Sequence, residues 1–275
     1  KNYPNYMAPD GENFRGINAV RTLGETKKYN LDKVIKAGYD TRLAAFEVLV
    51  PSLVKAFETS VKYPDTLYAL LVGPVTVLKH WDERSSENSI ATTLAVEWGE
   101  RLLQKIIAVK TRDEDQVSKT KWFAANAKPD ELLMPLLETI NDLKKRFGRW
   151  QMGWGQINRF QRISSDIENK FDDNQPSFPV GFVSSMWGML PSYNSKIFAG
   201  TQKRYGIHGN SFICAVEFGK KLKAKALLAG GESGNVNSPH FFNQGKAYSK
   251  GIFRDVWFYK EDVVKHIERT YRPGE

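Results

Sequence analysis

Cysteine is almost missing from this 275-residue sequence: Cys214 is the only one, which excludes an intrachain disulfide and any cysteine-built metal cage. Long hydrophobic runs are missing as well. None approaches the roughly 20 apolar residues needed to cross a bilayer, and the opening stretch KNYPNYMAPDGENF lacks the apolar centre of a signal peptide. Pro4, Pro9 and Gly11 punctuate that opening as a loop. Neither an internal repeat nor a low-complexity tract is present. A concentrated block of one charge sign is also lacking. The net charge is +9, but Lys and Arg number 23 against 20 acids in residues 1–150 and 17 against 11 in residues 151–275, with acids interleaved throughout. No nucleic-acid-binding motif accompanies the charge, so a nucleic-acid partner is not expected. The densest basic run, Lys220, Lys221, Lys223 and Lys225, lies beside an expected strand, where lysines commonly blunt an exposed edge.

What is present is ordinary globular material, 41% hydrophobic and 26% charged, enough to bury a core in one large domain or two smaller ones. Residues 1–29 read as an extended entry segment with a short helix over 13–23. From residue 30 the period becomes helical: Leu43, Phe46, Val50, Leu53, Val54 and Phe57 form one apolar stripe. Pro51 is expected to kink or break that helix, and Gly73-Pro74 to interrupt the apolar stretch 65–81. Ile90, Leu94, Trp98, Leu102 and Ile106 mark a further helix, and another runs from Pro129 to a stop at Gly148. After Trp150, glycine, serine, proline and aromatic residues take over and alternation replaces the helical period. Residues 151–275 are therefore expected to be β-rich, with strands over 154–163, 212–218, 225–229 and 253–259 and short closing helices over 242–249 and 261–271.

The sharpest local candidate for chemistry is Gly231-Glu232-Ser233-Gly234, with His240 seven residues on. A nucleophile elbow needs G-x-S-x-G at a strand-to-helix turn, and Asn235 stands where its last glycine belongs. The plainer reading is a turn-rich loop whose serines bond to backbone. His80, His208, His240 and His266 show no metal-ligand spacing. Asp10, Glu12 and Asn13 could offer oxygens to calcium, without the spacing of a calcium loop. Asp113, Glu114 and Asp115 read as a solvated loop or a first helical turn. The seven tryptophans, Trp150 and Trp154 among them, could form a stacked platform for glycans, but core packing is the better default.

Five segments, in order, resemble the penicillin-acylase family of N-terminal-nucleophile hydrolases, which includes acyl-homoserine-lactone and aculeacin acylases. They are NYPNYMAPDGENFRGINAVRTL; AGYDTRLAAFEVLVPSL, where the family starts a helix near an aspartate equivalent to Asp40; LKHWDERSSENSIATTLAVEW; WGQINRFQR; and GNSFICAVEFGKKLKAKALLAGGESGNVNSPHFFNQ. The last, continued through residues 230–257, is the most specific, and together they span nearly the whole chain.

The resemblance implies an α+β fold: part of a four-layer αββα sandwich with a large helical excursion over residues 30–150 and a sheet-completing region over 151–275. It implies hydrolysis of a linear amide by a serine that begins the large chain, its own α-amino group acting as base and an asparagine with backbone N–H groups holding the oxyanion. Lys1 is no such nucleophile and the asparagine motif is not found, so on this reading the chain is a C-terminal portion of the large chain, inactive alone. Its partners would be the small chain and the N-terminal part of the large chain, its location periplasmic or secreted, its ligand a small-molecule amide. The resemblance implies no cofactor or metal in this chain, calcium being an ion of the complete enzyme. Penicillin, lactone signals and lipopeptides all stay open as substrates. Arg15 falls where the family places an arginine that orients the oxyanion asparagine. Its structural alternative is an ion pair with Glu12, and Arg21 is the fallback. Two other readings are an aromatic-rich, non-catalytic binding module and a self-contained hydrolase using Ser233.

Overall fold

The computed structural model describes residues 7, 11–166, 168–272 and 274. Its first half is helical: α1 Phe14–Gly24, α2 Leu31–Gly38, α3 Phe46–Ser60, α4 Thr66–Lys79, α5 Ile90–Ala108, α6 Gln116–Asn126 and α7 Pro129–Phe147. Side-chain oxygens of Asn13, Asn30, Ser89 and Asp115 cap α1, α2, α5 and α6 by accepting from backbone N–H groups three residues on. Helix α7 ends on Gly148 at φ 75, the stop its sequence announces.

Helix α3 runs through Pro51, so the helix does not break there, and α4 runs through Pro74 without the expected interruption. Pro51 lies on the exposed side of α3, so the carbonyl left without its N–H partner can be hydrated, while Leu49, Val50, Leu53, Ala56 and Phe57 hold the buried side in register. Helices α3, α5 and α7 pack together, and the fully buried Trp98 of α5 donates from Nε1 to Leu132 O of α7 at 2.9 Å.

The second half adds α8 Trp154–Ile157, β1 Asn158–Phe160, β2 Phe178–Pro179, β3 Tyr193–Ile197, β4 Arg204–Gly209, β5 Phe212–Glu217, β6 Lys223–Leu228, α9 Gly245–Lys250, β7 Arg254–Asp255 and α10 Lys260–Val263. One sheet has the order β2-β1-β4-β3 and the other β5-β6-β7. The strand expected over 154–163 begins instead as a helical turn. Gly155 N and Trp154 N are claimed by Glu87 O and Ser89 O, and the Gln156 side chain accepts from Gly153 N, which fixes the turn before β1 can start. The strand expected over 253–259 pairs only at Arg254 and Asp255, and the closing helix over 261–271 shrinks to α10 and one 3-10 turn, Val264–His266.

Strand β5 alternates in burial and turns its larger apolar side chains outward. Ile213, Ala215 and Glu217 are the more covered set, packed under α2, where Glu217 Oε2 accepts from Leu31 N at 2.9 Å. Phe212, Cys214 and Val216 turn outward, with Phe212 60% exposed and the following Phe218 86%. The lysine run does not line an edge either: β6, which carries Lys223 and Lys225, is the central strand. Those lysines answer to acids across the structure, Lys225 to Asp32 at 3.0 Å and Lys221 to Glu261 at 3.3 Å.

A buried core runs from Leu43 through the helices to Trp154, Tyr193, Leu227 and Tyr248 of the second half. It encloses a charged seam in which Glu97 of α5 is held by Arg204 of β4 and Arg146 of α7.

Candidate functional site

Helix α1 presents Phe14, Asn18 and Thr22 on one buried stripe, a spacing of four that places Arg15 beside Asn18 at the inner margin. Arg15 is half-buried and donates from Nη2 to Leu190 O at 2.6 Å. Its other N–H groups make no hydrogen bond among the described residues, and the alternative ion pair with Glu12 does not form there. Arg21, by contrast, is committed: its two terminal nitrogens reach the two Glu47 oxygens at 2.6 and 2.9 Å. Arg42 joins the same carboxylate at 2.8 Å. Hydrogen bonds from Arg21, then Arg42, hold the Glu47 carboxyl below its ordinary range in spite of its partial burial.

Behind Arg15 lies a second polar knot. The Asn18 amide nitrogen donates to Asp40 Oδ1 at 3.0 Å and to Gly188 O at 3.2 Å, and Arg84 Nη1 donates to Asp40 Oδ2 at 2.8 Å. Burial pushes the Asp40 carboxyl up, but the hydrogen bonds from Arg84, Asn18 and the Arg42 amide outweigh it, and its pKa lies below the usual value.

Arg15 lines a cleft of about 350 Å³ walled by Val34, Ile35, Tyr39, Ile213, Ala215 and Phe253. The Tyr39 ring is wedged edge-on between Phe182 and Phe253, and its buried hydroxyl has no hydrogen-bond partner among the described residues. Burial raises the Tyr39 phenol well above its ordinary range, so it stays a protonated donor. Among the described residues the site thus joins an apolar wall to a cation with donors not otherwise engaged, an arrangement suited to hold a carbonyl-bearing group beside an apolar one.

Other sequence candidates do not converge. Ser233 Oγ accepts from Asn235 N at 3.1 Å, and His240 reaches Asn243 through Nδ1 at 3.3 Å, with no bond between the serine hydroxyl and the imidazole. The loop instead ties itself down by backbone: Ser233 N donates to His240 O, and Gln244 N to Gly230 O at 2.8 Å. His80 is bonded to Thr76 O, His266 stacks on Trp257 at 4.1 Å, and His208 lies on the exposed end of β4. Of the calcium candidates, Asn13 Oδ1 is engaged as the cap of α1 and Glu12 is exposed; Asp10 lies outside the described residues. Among the described residues no group of three or more His, Cys, Asp or Glu side chains could hold a metal ion. Asp115 caps α6 by accepting from Ser118 N at 2.7 Å. Trp98, Trp154 and Trp187 are buried in the core, and the two most exposed, Trp122 and Trp257, sit on α6 and beyond β7, so no platform of stacked tryptophans forms.

Sequence reasoning passed over Asn18, Arg84 and the Glu97–Arg204 pair. Asn18 carried a usable signal: an asparagine at the centre of a helix's apolar stripe is a buried polar group in need of partners. Arg84 and Arg204 carried none, since their partners are distant in sequence.

No helix among the described residues is long and apolar enough to cross a membrane. A solved structure of the thermostable penicillin G acylase from Alcaligenes faecalis in its orthorhombic form is similar, at 14% identity and a TM-score of 0.49, over 98% of this chain and 56% of that chain. The chain therefore spans a little over half of that protein's length. The family model for penicillin amidase matches residues 1–265, and the chain belongs to that family of amide hydrolases.

Proposed function

We propose that this chain forms the C-terminal portion of the large chain of an N-terminal-nucleophile acylase that hydrolyses a linear amide, releasing an acyl group from an amine. On this reading the chain contributes to the sheets of a four-layer αββα core, and the nucleophilic serine and the oxyanion asparagine come from upstream sequence. Its partners are the small chain and the N-terminal part of the large chain, in the periplasm or outside the cell, and the chain alone is inactive. The observation that carries the reading is Arg15: half-buried, fixed at one nitrogen by Leu190 O, with its other donors unengaged among the described residues, and lining a largely apolar cleft. A guanidinium so placed can donate to the side-chain oxygen of an asparagine, turning that amide's N–H groups toward the developing oxyanion. The outward apolar side of β5 gives the upstream segment a surface to cover.

The test compares the full-length precursor, allowed to process itself, with residues 1–275 alone. Both are offered chromogenic amides of phenylacetic, short aliphatic and long aliphatic acids, and amine release is followed. The processed protein should release amine, residues 1–275 should not, and Arg15→Ala should cut kcat by about 100-fold. Turnover by residues 1–275 alone, or none by a processed full-length protein, would sink the reading.

A further inference from the structure

We propose that Asp40 is a positioning residue for Arg15, acting through the Asn18 amide and the turn at residues 188–190; the proposal rests on the role given to Arg15 above. Asn18 is fully buried, and its amide nitrogen faces three oxygens: Asp40 Oδ1 at 3.0 Å, Gly188 O at 3.2 Å and Arg42 O at 3.4 Å. Its own Oδ1 has no hydrogen-bond partner among the described residues. Rotating the amide by half a turn would set an oxygen against those three acceptors, so they dictate one orientation even though it leaves Oδ1 unpaired.

Asp40 is itself immobilised. Its Oδ1 also accepts from Arg42 N at 3.0 Å, its Oδ2 accepts from Arg84, and Arg42 pairs with Arg84 through an isolated backbone bridge. The carboxylate is therefore a fixed acceptor that aims Asn18 at the Gly188 carbonyl.

The turn that receives Asn18 also receives Arg15. Gly188 O accepts from Asn18, and two residues on Leu190 O accepts from Arg15. The turn has little freedom of its own. Gly188 sits at φ 107, a side chain there would come within 2.6 Å of Ala44 N, and Ala45 N donates to Trp187 O at 3.1 Å. Asp40, Asn18, the turn and Arg15 thus form one chain of contacts, and a displacement at Asp40 is delivered to the guanidinium. Losses of about 100-fold in rate follow from misplacements near 1 Å.

The experiment uses the full-length, processed protein with Asp40→Ala and Asp40→Asn, each in wild-type and Arg15→Ala backgrounds. Asp40→Ala should lower kcat by about 100-fold with little change in KM. Asp40→Asn, which keeps an oxygen for Asn18 while losing the Arg84 ion pair, should restore most of that loss. In the Arg15→Ala background Asp40→Ala should cost almost nothing further, since its effect passes through the missing group. Equal penalties in both backgrounds, or an Asp40→Asn variant as damaged as Asp40→Ala, would overturn the proposal, because a merely structural ion pair behaves in that way. Where Asp40→Ala does not fold, Asn18→Ala breaks the same chain one link on and is read against the same outcomes. Hydrogen exchange reads the coupling without turnover: protection in residues 14–24 and 186–191 should fall in Asp40→Ala and hold in Asp40→Asn, with α5 and α7 unchanged. Unchanged protection at 186–191 overturns the positioning role. Lost protection in a protein that hydrolyses no amide supports it and overturns the amidase reading alone.

Discussion

Glu97 Oε1 lies 3.0 Å from Arg204 Nη1, with both side chains almost sealed from water at 5% and 6% exposure. The second Glu97 oxygen takes Arg146 Nη2 at 2.9 Å, so one carboxylate joins α5 to α7 and to β4. Removing it takes away the carboxylate the two guanidinium groups share and leaves each with one, more exposed, acidic partner, Glu100 for Arg204 and Asp142 for Arg146. Glu97→Ala should destabilise the protein by about 3–5 kcal/mol, read as a lower urea midpoint at an unchanged slope.

Gly188→Ala should cost about 3 kcal/mol, combining a left-handed backbone with a clash. Gly200 offers the control: at φ 81 it has the same backbone demand, but nothing lies within 4 Å of an added Cβ. Gly200→Ala should cost about 1 kcal/mol. The difference between the two melting curves isolates the contact with Ala44.

The outward side of β5 should behave as an interface. Phe212→Ser and Phe218→Ser in residues 1–275 should reduce binding of an apolar dye and self-association while changing stability by less than about 0.5 kcal/mol. The same changes in the full-length protein should weaken retention of the upstream segment after processing. Stronger dye binding by the serine variants would count against an interface there.

Acid should loosen α1 before it loosens α5 and α7. The Asp40 and Glu47 carboxyls are both held below their ordinary range in the fold. Their contribution is therefore complete above the unfolded value near about 4 and is lost as pH falls through the folded pKa. Exchange protection of residues 14–24 should fall over that window through Glu47, whose protonation releases Arg21 of α1, whereas a protonated Asp40 still offers Asn18 an oxygen; a Glu47→Gln variant should show a flatter profile.

Helix α5 was legible because one local rule, apolar residues at steps of four, determines it. The family was legible because whole segments in fixed order carry it. What escaped was whatever depends on a partner far along the chain. The direction in which β5 turns its phenylalanines is decided by α2 lying on the other side, and the start of β1 by carbonyls of Glu87 and Ser89. Arg15 could be named from its neighbours in sequence, but its acceptor is Leu190, and nothing local to either residue announces the other.

The bond from Arg15 to Leu190 closes a separation of 175 residues, and that from Asn18 to Gly188 one of 170. Contacts of such range form after local ones, since the intervening chain must first give up its freedom. Helices α3 to α7 can gather while α1 is still loose, whereas Arg15 finds its acceptor only when the chain has passed through all of them and returned. The docking of α1 therefore carries a large closure cost when the chain is unfolded, and that cost falls once the intervening helices have drawn its two ends together.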